Sequence, residues 1–428
     1  MTIGILLKRL QSALSHQNEI TWFDSVSHIV LDEVHERDLD TDLLLVILKR
    51  MLKTRKEAGL HVPKILLMSA TINADLFRNY FKNDRGQKAP LVDVPGKTYP
   101  VTRSYLDGFI GDLQQRSNAA GSWVFQVCRL YCVRAFLLLT RRRDQQDKLV
   151  RQYLDADNAI GGYQSGNEKE VDLPFPLIAL TIAHVVQKHQ SGRESAGHSI
   201  RIVFPSTDNG PLSIRGAIRC PRLVSRANGN QLACRMLIEL NFISLPGLEE
   251  MKRVSKVLLN EDRRSPLPVN FTDSTKYSVH TLHSTTPVAE QREVFVAAPN
   301  GVQRIILATN IAETSVTIPG TTVVVDSGRA KLKIYDPSRH VSALVTSWAG
   351  SANLDQRAGR AGRERPGDYY AVFGSNRLKS LRAHQVVEML RLDLSEVVMH
   401  VKGQCNVPRL LSILLTFLCF CSSEYRDG

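Results

Sequence analysis

Three short clusters bring together residue types that act on phosphate esters. The first is Asp32-Glu33-Val34-His35, directly after the apolar run HIVL at 28–31. Adjacent carboxylates at the C-terminal end of a strand suit a nucleotide site in an open α/β sheet. There Asp32 can hold Mg2+ through its water shell, and Glu33 can orient and deprotonate an attacking water. The same stretch, DEVHERDLDTD, also reads as a solvated acidic turn. The second cluster, Ser69-Ala70-Thr71, ends the next apolar run. Ser69 and Thr71 can hydrogen-bond those carboxylates and relay the state of a nucleotide; alternatively, Thr71 or Asn73 simply caps a helix over ADLFRNYF. The third is Gln356-Arg357-Ala358-Gly359-Arg360-Ala361-Gly362-Arg363. Arg360 and Arg363, three apart, fall on one face of a helical turn. Their guanidinium forks bind phosphate oxygens bidentately and, supplied from a second lobe, would act on a transferring phosphoryl group. Gly359 and Gly362 let backbone approach a ligand closely. The bland reading is a basic, glycine-containing turn that binds nothing.

These clusters need strands to present them. HIVLD (28–32) and KILLMSAT (64–71) read as buried strands, with helical spacing from Thr41 to Lys53 between them. Strands alternating with helices predict a parallel sheet covered on both faces. VDVPGKTYPV (92–101), punctuated by Pro and Gly, reads as the exit from a first lobe. A second α/β region starts near Asp172. There 173–189 looks helical after its prolines, SIRIVF (199–204) looks like a strand, and 248–260 is an amphipathic helix. YSVHTLH (277–283), RIILATN (304–310) and TTVVVDSG (321–328) are further buried strands. Segments 122–148 and 204–247 and the tail after Lys402 lack this periodicity, and all seven cysteines lie in them.

Composition is that of a globular protein, 43% hydrophobic and 23% charged, with 55 Lys and Arg against 42 Asp and Glu, a net charge of +13. A basic balance fits a polyanionic partner, although the two internal aperiodic segments supply about half of the excess. The cysteines form no paired C-x-x-C framework, so neither a zinc site nor a disulfide scaffold is expected, and a reducing intracellular location is; nucleus and cytoplasm are not distinguished. The N-terminal apolar run is too short for a signal peptide. The apolar stretch 407–420 falls below the ~20 residues that span a bilayer, so no membrane segment is expected.

With these motifs in this order, the chain resembles the DEAH/RHA-type superfamily 2 helicases, which remodel RNA using ATP. Asp32–His35 resembles motif II, Ser69–Thr71 motif III, and Leu245-Pro246-Gly247-Leu248-Glu249-Glu250 the end of motif IV. Ala308-Thr309-Asn310-Ile311-Ala312-Glu313-Thr314-Ser315-Val316-Thr317-Ile318 resembles motif V and Gln356–Arg363 motif VI. Thr2-Ile3-Gly4-Ile5-Leu6-Leu7-Lys8 is similar to the family's T-x-G-x-L-L-R element, with Lys8 in place of Arg, which keeps the charge and loses the fork.

The resemblance implies two RecA-like parallel-sheet lobes, the first incomplete, and the start of a winged-helix domain at the C-terminus. It implies ATP and Mg2+ as cofactors, with RNA and protein activators as partners. Asp32, Glu33, Glu313, Thr317, Arg360 and Arg363 would approach the nucleotide. Thr2, Gly4, Lys8, Thr309 and Asn310 would face RNA, and Ser69 and Thr71 would couple the two. Gln356 would sit near the γ-phosphate and His35, and Asp326-Ser327-Gly328 with Lys331 to Asp336 would lead to a strand-separating hairpin.

The departures carry their own expectations. The sequence contains no G-x-x-x-x-G-K-[ST]. Gly96-Lys97-Thr98 follows motif III, has no glycine-rich lead and is followed by Pro100, which disfavours the helix that a P-loop needs; it reads as the inter-lobe connection. The resulting partition is 1–106 as the C-terminal half of the first lobe, 107–171 as a linker, and 172–380 as the second lobe. Residues 381–402 begin the winged-helix region, and 403–428 are an aberrant tail. Segments 126–147 and 205–243, with the tail, are read as translated intronic or mis-spliced sequence. The resemblance implies RNA-stimulated ATP hydrolysis coupled to translocation along RNA and its unwinding, with this chain inactive alone; the alternative is a catalytically silent RNA-binding fragment or a non-folding product.

Overall fold

A computed structural model describes residues 1–15, 21–69, 74–94, 96, 99–116, 175–195, 239–259, 267–283, 287–296, 302–309, 318–395 and 397–398. Two sheets organise them. The smaller pairs β1 (His28–Leu31) with β2 (Lys64–Leu67) in parallel, His28 opposite Lys64. Helix α1 (Ile3–Ser15), the short α2 (Thr21–Asp24), α3 (Leu39–Glu57) and α4 (Ala74–Tyr80) accompany it. Ile29 and Leu31 alternate into a core with Leu6, Leu7 and Leu10 of α1 and Leu44, Leu45 and Leu48 of α3, as the two-residue strand period requires. The opposite face keeps Val30, Leu66 and Met68 exposed, so among the described residues this sheet is covered on one side, not two as the pattern predicted.

The larger sheet has six parallel strands in the order β3-β10-β7-β4-β6-β5. Its strands are β3 (Val101–Tyr105), β4 (Glu239–Ser244), β5 (Tyr277–Leu282), β6 (Gln303–Ala308), β7 (Thr321–Asp326) and β10 (Gly367–Ala371). Side chains alternate between two cores. Ile305, Leu307, Val323, Val325 and Tyr370 meet α5 (Leu106–Arg116), α6 (Phe175–Ser195) and α7 (Leu248–Leu258). Ile306, Ala308, Val324, Tyr369 and Ala371 meet α9 (Ser351–Gly359) on the other face. Both faces are covered, so every residue of β6 and β7 is buried and their centres, IIL and VVV, are apolar without alternation. From β4 the chain builds outward to β5 and β6 on one side, then returns to β7 and β10 on the other. A switch of this kind opens a crevice at the strands' C-terminal ends. The short α8 (Val288–Glu293) precedes β6, an antiparallel hairpin of β8 (Arg329–Asp336) and β9 (Val341–Trp348) leaves the sheet after β7, and α10 (Ser375–Ser380) follows β10.

Three sequence expectations change. Residues 101–116 are neither the end of the first lobe nor a linker. Val101–Tyr105 pairs with β10, and Leu106, Phe109, Ile110 and Leu113 enter the second lobe's core. The motif IV strand is Glu239–Ser244, which pairs with both β6 and β7 and runs straight into Leu245-Pro246-Gly247. Residues 239–243 are therefore part of the fold and not insertion, and the motif is not split; 199–204, 126–147, 205–238 and 403–428 lie outside the described residues. Val387, Met389 and Val397, from the stretch expected to begin a winged-helix domain, are buried in the first lobe's core. No helix among the described residues is long and apolar enough to cross a membrane.

Candidate nucleotide site

After β1 the backbone makes a tight 3-10 turn, Val34–Glu36, bracketed by Glu33 at φ 53° and Arg37 at φ 52°. Left-handed non-glycine residues are uncommon and persist where the surroundings over-determine them. Here three anchors do so. Val34 is buried, and its N–H donates to Met68 O at 3.2 Å. Arg37 grips Asp42 through two bonds of 2.7 and 3.1 Å, both side chains buried. Asp38 caps α3 by accepting from the Thr41 N–H and hydroxyl at 2.8 and 2.6 Å. Of the acids in DEVHERDLDTD, Asp38 and Asp42 are thus committed to structure. Asp32 is exposed and accepts the Glu33 N–H at 2.9 Å, and the Glu33 side chain is one-third exposed. That division favours a ligand-facing pair over a merely solvated turn.

His35 joins this turn to the second lobe. Its Nε2 lies 2.7 Å from Gln356 Nε2, across 321 residues of sequence. With the amide donating, His35 accepts at Nε2 and carries its proton on Nδ1, which faces Glu33 Oε2 at 3.4 Å. Gln356 and Arg360 are one helical turn apart and share a face. Arg360 is buried and Arg363 exposed. Helix α9 stops at Gly359, so Arg363 follows the turn and does not share a helical face with Arg360 as the spacing predicted.

What holds α9 in place was not legible as a site. Arg357, inside the same motif, points into the lobe, where its Nη1 donates to Asp326 Oδ1 at 3.0 Å and to Arg329 O at 3.1 Å. Asp326 also accepts the Gly328 N–H at 2.8 Å and the Tyr369 hydroxyl at 3.0 Å. Burial, with the Asp326 charge beside it, pushes the Tyr369 hydroxyl well above its ordinary range, which keeps it a donor. The signal for this cluster is a charge ending a strand that is otherwise uncharged, TTVVVD.

The two motif glycines divide as well. No atom comes within 4 Å of a Cβ built on Gly359, whereas one on Gly362 would lie 2.6 Å from Tyr99 O. Gly362 thus accommodates the connecting segment, whose Tyr99 N–H donates to Gly362 O at 2.8 Å, and not a ligand. Gly362→Ala is expected to displace Tyr99–Pro100 and cost about 1–3 kcal/mol, the range for overpacking. Urea denaturation checks this, with Gly359→Ala expected to be milder.

The remaining predicted residues are spread. Thr2 precedes α1 and accepts the Ile5 N–H on its Oγ1 at 3.4 Å, Gly4 lies in the first turn, and Lys8 is exposed on the helix. Thr309, expected to face RNA, is buried, 4% exposed. Ser69 is exposed. Thr71, Asn310, Glu313 and Thr317 lie outside the described residues, as do Lys97 and Thr98. No group of three or more His, Cys, Asp or Glu side chains among the described residues could hold a metal. An Asp32–Glu33 pair alone still fits Mg2+, which takes one or two carboxylates and fills its other positions with water and phosphate oxygens.

Comparison with known proteins accounts for this arrangement. Residues 236–365 match the helicase conserved C-terminal domain. The chain is 29% identical over 400 residues to the ATP-dependent RNA helicase dhx29 of Xenopus laevis, covering 94% of this chain and 25% of that protein. It is 30% identical over 430 residues to the DExH-box ATP-dependent RNA helicase DExH2 of Arabidopsis thaliana, covering 91% and 26%. It therefore spans about a quarter of the length of these relatives. The Escherichia coli DEAH/RHA helicase HrpB superposes with a TM-score of 0.55 at 21% identity, over 95% of this chain and 35% of that one, which supports a RecA-like fold for the six-stranded lobe. Residues 236–365 are a helicase conserved C-terminal domain, and the chain that carries them is a homologue of the DEAH/DExH-box helicases.

Proposed function

We propose that this chain supplies the catalytic face and the second lobe of an ATP-dependent RNA helicase, coupling ATP hydrolysis to movement along RNA. The observation that carries this is the His35–Gln356 contact at 2.7 Å. It brings the carboxylate turn of one lobe against the arginine-bearing helix of the other. Asp32 and Glu33 would hold Mg2+, and bound Mg2+ would neutralise phosphate charge. Glu33 would take the proton of the attacking water, with His35 and Gln356 fixing its orientation. Arg360 and Arg363 would meet the charge that develops on the transferred group. A catalytically silent RNA-binding role for the 428-residue polypeptide is the second reading, favoured by the lack of any G-x-x-x-x-G-K-[ST] in it.

RNA as substrate rests on the relatives' names; one, from Mus musculus, is named a DNA/RNA helicase. The chain's +13 charge and the exposed Lys8 fit either polyanion. Single-stranded RNA labelled for fluorescence anisotropy tests the reading. Affinity is expected to fall roughly tenfold between about 50 and 200 mM salt if three phosphates are neutralised. Salt-insensitive binding, or none, counts against both readings, and equal affinity for DNA of the same sequence would widen the substrate class.

A further inference from the structure

The stretch after α10 links three elements that the nucleotide reading sets apart. Arg382 O and Ala383 O accept the N–H groups of Ser351 and Ala352 at the start of α9, at 2.9 and 3.0 Å. Four residues on, the chain crosses to the first lobe, burying Val387 and Met389 against its core. The 3-10 turn Glu388–Leu390 opens on an acid, Glu388, and is followed by a base, Arg391. Glu388 Oε2 accepts the Leu39 N–H at 3.0 Å, at the N-terminus of α3, four residues after His35. A carboxylate there also complements the positive end of the 19-residue helix. Its other oxygen, Oε1, accepts from Arg391 Nη2 at 3.0 Å. Arg391 Nη1 donates to Lys333 O at 2.7 Å, and Arg391 O accepts the Tyr335 N–H at 2.7 Å, so both ends of Arg391 are fixed to β8. The Arg391 side chain is 14% exposed and that of Glu388 30%, so the pair is only partly screened by solvent.

We propose that Glu388 and Arg391 are positioning residues that strap the β8–β9 hairpin to the first turn of α3, so that displacement of the Asp32–His35 turn and displacement of the hairpin are one motion. Each half is short and directional. The carboxylate has one oxygen for each lobe, and the guanidinium has one arm for the carboxylate and one for the hairpin backbone. The role of the strap rests on the proposed nucleotide cleft, whereas its existence as a coupled unit does not.

Hydrogen exchange on the 428-residue chain tests it, comparing Glu388→Gln and Arg391→Lys with the parent. Glutamine keeps the shape and an acceptor for Leu39 but loses the charge; lysine keeps the charge but cannot fork to two partners. Either variant is expected to raise exchange by about tenfold in both 39–42 and 333–336, the loss of one charge-assisted bond, with no further rise in the double variant. A rise confined to the mutated residue's near side, or a uniform rise that includes α6, overturns the proposal. Single-stranded RNA supplies the second readout. Where RNA protects 333–336 in the parent, protection must also change exchange at 39–42, and Arg391→Lys must abolish only that distant change; protection that stays in the hairpin overturns the proposal. RNA that leaves the hairpin untouched counts against the proposed function, and the ligand-free comparison then decides the strap alone.

Discussion

Replacing Arg357 with methionine is expected to destabilise the six-stranded lobe by about 3–5 kcal/mol, the cost of leaving a buried charge without its partner. The Arg357 and Asp326 side chains are 2% and 0% exposed. Asp326 would keep the Gly328 N–H and the Tyr369 hydroxyl, but neither carries the compensating charge. Asp326→Leu alone strands the guanidinium in the same way. The pair Arg357→Met with Asp326→Leu should recover much of the loss, because two apolar groups of similar volume remove both desolvation penalties. Local hydrogen exchange in β7 and β10 is the measurement of choice, since a chain with two cores need not unfold in one step. A cost below about 1 kcal/mol would mean that the pair is solvated, as surface ion pairs are. The functional consequence follows from geometry: Arg357 is flanked by Gln356 and Ala358, so what fixes it fixes the helix that reaches His35.

This cluster also marks how far the sequence could be read. The strands that are buried on both faces, β6 and β7, announce themselves by their apolar centres, IIL and VVV, because nothing on them meets water. The motif residues Asp32, Glu33, Gln356 and Arg360 were legible by type and spacing, and the structure brings the His35–Gln356 pair together. The structural duties of Asp38 and Asp42, which bond Thr41 and Arg37, were not legible in the same acidic run. Strand β3, VTRSY, escaped because it lies at an edge, with two of its five residues exposed, and pairs with residues more than 250 positions away. Strand β4 escaped because ELNFIS alternates weakly and follows a stretch with no period of its own. Asp326 and Arg357 are 31 residues apart and Leu39 and Glu388 are 349 apart. Local pattern has no means of registering such pairings, because Asp326, Arg357 and Glu388 each look alone like an ordinary surface charge and Leu39 contributes only its backbone N–H.

The 428-residue polypeptide is expected to show no RNA-stimulated ATP turnover above that of its Glu33→Gln variant. Phosphoryl transfer is accelerated by holding the β- and γ-phosphates and spreading their charge, and a P-loop NTPase does so with backbone N–H groups, a lysine and a Mg2+-bound hydroxyl. The described residues include the carboxylates and arginines proposed for these roles, but no glycine-rich turn opening a helix toward them. Each 1.36 kcal/mol of lost transition-state stabilisation slows turnover tenfold. Losing the lysine together with the metal's hydroxyl ligand therefore removes several powers of ten, enough to sink the rate into the background of phosphate release. Gly96-Lys97-Thr98 is the one sequence that could contradict this, being the only Gly-Lys-Thr in the chain. The comparison therefore includes Lys97→Ala. Turnover that Glu33→Gln abolishes and Lys97→Ala leaves intact would mean that the phosphates are gripped elsewhere. Turnover that both variants abolish would make Gly96–Thr98 a phosphate site despite Pro100. With all three proteins at background, the 428-residue polypeptide is silent, the result expected of a chain without G-x-x-x-x-G-K-[ST].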